Sequence, residues 1–299
     1  MPRMKFFLCR PKFATVYDCG KDPEIIPGRR DRGMKKWIVV VLLVPVLASF
    51  AHAQTGTKKR RPLPYEYGGV VIKNFSSGGG LSPVQFDHWL HRAMYTCRLC
   101  HVDIGFAMKA NATGIRAADN MKGYYCGTCH NGKMAHGDRK IFEACATKYT
   151  KEDLKRCNRC HSKGENVQHD YDFAAFTERL PKERFGNGVD WEKAEERGLI
   201  KPLDYIEGVS IKRPALAVQK DFSIGAKVDT MPEIIFSHKK HTVWNGCELC
   251  HPEIFAGIKK GTTKYSMSEI FEGKYCGACH VTVAFPTTDC QRCHSKPVR

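Results

Sequence analysis

Cys97-Arg98-Leu99-Cys100-His101 is a five-residue pattern that returns five more times, as Cys126 to His130, Cys157 to His161, Cys247 to His251, Cys276 to His280 and Cys290 to His294. C-x-x-C-H is the spacing of c-type haem attachment. Two thiols about one helical turn apart can each add to a haem vinyl group, and the adjacent imidazole is then directed at the iron. The pattern predicts six covalent haems held by Cys97, Cys100, Cys126, Cys129, Cys157, Cys160, Cys247, Cys250, Cys276, Cys279, Cys290 and Cys293. The first axial ligands are His101, His130, His161, His251, His280 and His294. Zinc is the competing reading, because paired C-x-x-C units also build tetrahedral sites. A zinc site does not need His directly after the second Cys, and with only 13 His in the chain six such coincidences are not chance.

The chain has 299 residues, enough for one large or two medium domains. Met34-Lys35-Lys36, the apolar run Trp37 to Phe50 and Ala51-His52-Ala53 have the basic start, short apolar core and small-x-small ending of a secretory signal peptide. That run is too short for an ordinary membrane span. Residues 34–53 are therefore expected to be a cleaved leader, and residues 1–33 an extension ahead of the true start; an uncleaved anchor is the alternative. Export to the periplasm or beyond suits haem attachment, which takes place outside the cytoplasm. Of the 15 Cys, Cys9 and Cys19 leave with the leader and twelve sit in motifs, so Cys145 is left over. It is either an inert buried thiol, a free thiol or an intermolecular bridge.

The formal charge of +17 invites a nucleic-acid partner, and the haems argue against one. The leader carries ten Lys/Arg against four Asp/Glu, which leaves +11 for residues 54–299. Six haems would bring about twelve propionates, each responsive to its surroundings. Much of the basic excess is then haem compensation, and Lys58-Lys59-Arg60-Arg61 reads as a solvated arm.

An internal repeat orders the rest. Phe86-Asp87-His88-Trp89-Leu90-His91 before the first motif recurs 150 residues on as Phe236-Ser237-His238-Lys239-Lys240-His241, and Tyr125-Cys126-Gly127 recurs as Tyr275-Cys276-Gly277. The third motif slips by 17, because the first copy has extra residues between Ala135 and Leu154. This predicts an N-terminal arm at 54–83, a triheme unit at 84–161, a connecting strap at 162–233 and a second triheme unit at 234–299. Val70-Val71-Ile72 reads as a short strand, and Ser76-Ser77-Gly78-Gly79-Gly80 as a turn without a phosphate-loop ending. In the strap, Phe185-Gly186-Asn187-Gly188 reads as a turn, and the residues after Asp190 as a short helix with Asp190 as N-cap and Gly198 as its stop. An ordered strap packed on haem faces is expected, with a disordered linker as the alternative. The fold class is mostly irregular, with short α-helices at the motifs, little β-structure and macrocycles supplying much of the apolar core.

After the leader, twelve His remain. Six lie in motifs, and the other six, His88, His91, His238, His241, His136 and His169, match the number needed to close every iron with a second imidazole. His88 and His91 are three apart, so on a helix they can reach two irons, and His238 and His241 can do likewise. In this arrangement of F-x-H-x-x-H followed by three C-x-x-C-H motifs, the chain resembles the triheme c7-type cytochromes, shorter relatives of the tetrahaem c3 cytochromes, twice over at about 84–161 and 234–294. The resemblance implies that His88 and His91 serve the haems at 97–101 and 126–130, and that His238 and His241 serve those at 247–251 and 276–280. By elimination His136 and His169 are assigned to the haems at 157–161 and 290–294. Met121, Met134 and Met267 are alternative thioether ligands; for each, packing is the simpler role.

Closed irons imply one-electron transfer, with redox partners in the cell envelope, no nucleic acid and no membrane span in the mature chain. The alternatives are a multihaem reductase with one open iron, or a subunit of an extracellular filament or outer-membrane conduit. No substituted motif such as C-x-x-C-K is present to favour the reductase.

Overall fold

A computed structural model describes residues 61–145, 150, 152–162, 172–214, 220–226, 230–257 and 259–296. The leader, Lys58 to Arg60 and His169 lie outside the described residues. Regular structure is sparse. Three two-stranded antiparallel sheets pair β1 (Gly69–Ile72) with β2 (Val84–Asp87), β3 (Ala135–His136) with β4 (Arg139–Lys140), and β5 (Phe222–Ile224) with β6 (Ile234–Phe236). The helices are α1 (His88–Met94), α2 (Ala117–Met121), α3 (Asp153–Cys157), α4 (Phe173–Thr177), α5 (Trp191–Glu196), α6 (His238–Asn245), α7 (Met267–Phe271), α8 (Gly277–His280) and α9 (Cys290–Cys293).

The repeat is visible in the backbone. In each copy a strand leads directly into the F-x-H-x-x-H helix: β2 into α1, and β6 into α6. The partner strands are in equivalent register, with Val70 opposite Phe86 and Phe222 opposite Phe236. The partner of β6 lies in the region expected to be connecting strap.

Further along, α2 and α7 are opened by a carboxylate three residues inside. Asp119 accepts from the Arg116 amide at 3.0 Å, and Glu269 from the Ser266 amide at 2.9 Å. A side-chain acceptor at this point satisfies one of the donors a helix start leaves orphaned. Gly123 and Gly273 then close the two helices at φ 86° and 87°, and Tyr125 and Tyr275 follow at φ 49° and 52°.

The first glycine inside each second motif is a steric requirement. A Cβ on Gly127 would lie 1.8 Å from the Asn120 carbonyl oxygen, and one on Gly277 would lie 1.9 Å from that of Ile270. The haem-attachment turn can fold back on the preceding helix end only without a side chain there.

The expected strap helix forms as α5. The Asp190 carboxylate accepts from the Lys193 amide at 3.2 Å, and Gly198 follows at φ 66°; such a cap is worth about 1 kcal/mol. The Phe185–Gly188 turn closes through the Gly188 amide to the Phe185 carbonyl at 3.2 Å. The strap's apolar residues bury against protein: Leu180, Val189, Trp191, Ala194 and Ile200 form one core with Trp89 and Ala93 of α1. Phe173 meets the Trp89 ring edge-on at 5.1 Å. A second core gathers Tyr95, Leu99 and Ile206. A charged network ties the strap to both copies: Arg98 pairs with Asp103 at 3.5 Å and with Asp204 at 2.5 Å, and Arg213 pairs with Asp103 at 2.9 Å and with Glu248 at 2.7 Å.

Gly127→Ala and Gly277→Ala are each expected to destabilise the haem-loaded protein by about 1–3 kcal/mol, the usual range for overpacking. Gly78→Ala, where a Cβ meets nothing within 4 Å, should stay within about 0.5 kcal/mol. Denaturant midpoints of the three variants check this, and equal midpoints would remove the steric role.

Candidate haem-binding site

Ten of the described histidines share one feature: the ring Nδ1 faces a backbone carbonyl. In the motifs, His101 reaches Phe106 O at 2.8 Å, His130 Phe142 O at 3.2 Å and His161 Ser82 O at 2.7 Å. In the second copy, His251 reaches Phe255 O at 2.8 Å, His280 Phe285 O at 3.0 Å and His294 Pro232 O at 2.7 Å. Outside the motifs, His88 reaches Gly68 O at 2.6 Å, His91 Asp87 O at 3.3 Å, His238 Lys220 O at 3.1 Å and His241 Ser237 O at 2.8 Å. A carbonyl only accepts, so Nδ1 must carry the proton in all ten rings. Nε2 is then left with its lone pair, the form a metal takes.

The two copies use corresponding acceptors. Gly68 and Lys220 each stand two residues before the strand position opposite the Phe of F-x-H-x-x-H. Ser82 and Pro232 likewise share a place before β2 and β6. Sequence reasoning missed these acceptors because a carbonyl leaves no residue-type signature. The one available signal was the apolar–polar–apolar alternation of Phe222-Ser223-Ile224.

Three pairs of rings face each other at nearly the same spacing. Centroids are 6.5 Å apart for His88 and His101, 6.3 Å for His91 and His130, and 6.2 Å for His241 and His280. A metal–nitrogen bond of about 2 Å on each side, plus about 1 Å from each nitrogen to its ring centre, spans about 6 Å. The first pair is nearly parallel, at 6°. Each pair matches a family-implied partnership of distal and motif His. No comparable ring approach joins His238 to His251 among the described residues.

His136 sits differently from the others. Its Nδ1 is buried without a partner, and its ring lies 5.4 Å from that of Tyr95. It belongs to the β3–β4 hairpin, which is inserted between His130 and its acceptor Phe142; in the second copy His280 finds Phe285 only five residues on. Phe142 is therefore the structural counterpart of Phe285, and His136 has no counterpart.

Imidazoles and thiols line a continuous cavity of about 2050 Å³, well beyond the roughly 300–1,000 Å³ of a single small-molecule site. Burial pulls the pKa of His88, His91 and His280 down to about 4 and lowers those of His101, His130 and His241, so these rings are neutral at pH 7. Burial pushes the thiols the other way, Cys100, Cys126 and Cys279 to about 12 and Cys160, Cys250 and Cys293 to about 11. Cys145 is half-buried, with the Asn120 amide 3.9 Å from its sulfur and Cys157 among its electrostatic neighbours. Among the described residues no three His, Cys, Asp or Glu side chains converge as a cage for a bare metal ion. Paired imidazoles with free Nε2, beside thiol pairs on a large cavity, fit haem.

Residues 84–166 and 234–295 match the family model described as cytochrome c7 and related cytochrome c. The chain is a multihaem c-type cytochrome that resembles a tandem pair of c7-type domains. Solved structures similar to it include the C-terminal hexaheme fragment of GSU1996, at 25% identity over 79% of this chain and 99% of that one, with a TM-score of 0.23. The N-terminal hexaheme fragment of GSU1996 shares 24% identity over 76% of this chain and 97% of its own, with a TM-score of 0.22. The dodecaheme cytochrome c GSU1996 shares 23% over 76% and 73%, with a TM-score of 0.23. No curated protein matches the chain.

The depressed imidazole pKa values fix the sign of one pH effect. Between the ordinary value of 6.5 and about 4 the unfolded chain binds protons that the folded chain refuses, so folding stability falls as pH drops through that window. Thermal unfolding at pH 7, 6 and 5 should show a steadily lower midpoint; a midpoint that rose on acidification would contradict the neutral-imidazole arrangement.

Proposed function

We propose that this chain is an exported hexahaem electron carrier in which every iron is closed by two imidazoles. The observation that carries the proposal is the separation of about 6 Å between facing rings in three His pairs, each drawn from one motif and one F-x-H-x-x-H segment. Covalent haem supplies reversible one-electron chemistry; the protein's part is to hold, space and bias the sites. In this reading the twelve motif thiols anchor the haems. His88 faces His101, His91 faces His130 and His241 faces His280 across an iron. His238 is assigned to the haem at 247–251, His136 to that at 157–161 and His169 to that at 290–294.

The thiols of successive motifs are electrostatic neighbours, which supports one connected row of attachment sites. Cys160 neighbours Cys126, Cys126 neighbours Cys100, Cys97 neighbours Cys250 and Cys279, and Cys276 neighbours Cys293. Cys97 thereby joins the first copy to the second. Each copy is a triheme unit in this proposal, with the segment between them a structured strap. The chain acts as a carrier without a substrate site of its own, in the periplasm or at the cell surface, and its partners are redox proteins of the cell envelope.

Intact mass of the exported protein should show six covalent haems, and low-temperature EPR of the oxidised protein only low-spin ferric iron. A stoichiometric high-spin signal, or one reduced centre that binds carbon monoxide in full, would favour a reductase with an open iron.

A further inference from the structure

Arg92 is the last basic residue of α1 and has no equivalent in the second copy, where Thr242 stands in its place. Its guanidinium lies over the Trp191 ring at 5.1 Å and the Trp244 ring at 5.5 Å. It donates to the Val283 carbonyl at 2.9 Å. Val283 in turn donates its amide to the Cys279 carbonyl at 2.9 Å, so Arg92 is one residue's hydrogen bond away from a haem-attachment residue of the other copy. Five positions along its own chain comes Cys97, and Arg92, Cys97 and Cys279 all line the cavity. Tyr67 seals the same seam with a hydroxyl donated to the Ala284 carbonyl at 2.6 Å.

Three other buried or half-buried arginines are neutralised: Arg98 by Asp103 and Asp204, Arg213 by Asp103 and Glu248, and Arg292 by Glu183, Asp190 and Glu192. Among the described residues no carboxylate comes within ion-pair distance of Arg92. Burial lowers its pKa from the ordinary value. A guanidinium does not lose its proton in a protein. What stabilises this charge is two indole faces and a carbonyl, the arrangement by which aromatic rings solvate a desolvated cation. No protein carboxylate among the described residues cancels its field, and burial keeps water from screening it strongly.

We propose that Arg92 is a fixed cation, without a protein counter-charge among the described residues, that raises the reduction potentials of the two haem sites meeting at the seam, Cys97–His101 and Cys276–His280. The inference rests on the hexahaem electron-transfer reading above. Reduction adds one negative charge to an iron site, so a nearby positive charge favours the reduced form of both sites. Electrons arriving from either copy would then settle at the junction between the copies.

The test uses the full-length haem-loaded protein and its Arg92→Gln, Arg92→Met and Arg92→Lys variants, with intact mass for haem count and individual potentials resolved by redox titration followed by NMR. Arg92→Gln and Arg92→Met should each lower two potentials by about a tenfold change in equilibrium constant, about 59 mV for one electron, and leave the other four in place. Arg92→Lys, which keeps the charge, should keep both potentials near the parent values. Unchanged potentials in the two neutral variants, an equal fall in Arg92→Lys, or a uniform shift of all six sites would overturn the proposal. Failure of both neutral variants to load six haems would also overturn it, because Arg92 would then be a structural requirement. A parent protein without six low-spin haems would instead overturn the functional reading itself.

Discussion

Ten imidazoles donate Nδ1–H to a backbone carbonyl, and the remainder of the architecture follows from that contact. A histidine ring free to rotate about two torsions and to exchange tautomers presents an iron with several states, of which only some bind. One hydrogen bond removes both freedoms, since it orients the ring and places the lone pair on Nε2. Carbonyls are available everywhere along a chain, so acceptors come from turns and strand ends, and no extensive helix or sheet is needed. This explains how, among the described residues, strands of two to four residues and helices of four to eight hold so many histidines in place.

The same contact explains how the copies diverged without losing the repeat. The acceptor of the second motif histidine is a phenylalanine carbonyl in both, Phe142 and Phe285, although the intervening chain differs by the whole β3–β4 hairpin. The insertion is accommodated on one side of a conserved hydrogen-bond geometry. It introduces His136, the one described histidine whose Nδ1 is buried and unpartnered. A buried polar nitrogen without an acceptor costs about 1–3 kcal/mol. His136 is thus held in the cavity by its hairpin, without the carbonyl that secures every other described ring.

Much of the site was legible in the sequence because covalent attachment requires residue types at fixed spacing. The six C-x-x-C-H motifs, the two F-x-H-x-x-H segments and the 150-residue offset all survive in the structure as the motif turns, α1, α6 and the paired helices α2 and α7. The Asp190 cap and the Gly198 stop were legible for the same reason, since each is a side-chain-specific local interaction. The carbonyl acceptors were not, because any residue supplies one. The strand at Phe222–Ile224 was obscured by its shortness and by lying in a stretch without haem motifs. The strap was expected to bury its aromatics on haem faces. Trp191, Phe173 and Phe176 gather around Trp89 of α1, a long-range contact that no local pattern encodes, while Trp191 and Trp89 also line the cavity.

That side-chain core also explains why the copies are unequal where they meet. In the first copy α1 carries Trp89, Ala93 and Arg92; at the corresponding places α6 carries Lys239, Val243 and Thr242. Trp89 and Ala93 are buried against the strap, whereas Lys239 and Val243 are exposed. A helix that serves two histidines to the cavity has other positions free for a second task. In α1 Trp89 and Ala93 anchor the strap through apolar burial, worth about 1.5–3 kcal/mol for each large side chain. The strap then brings Trp191 against Arg92, while Trp244 of α6 meets the same guanidinium. The seam is therefore assembled by α1 residues other than its two histidines. Two identical copies could not make it, because each would lack the complementary surface that the substitutions in the other provide.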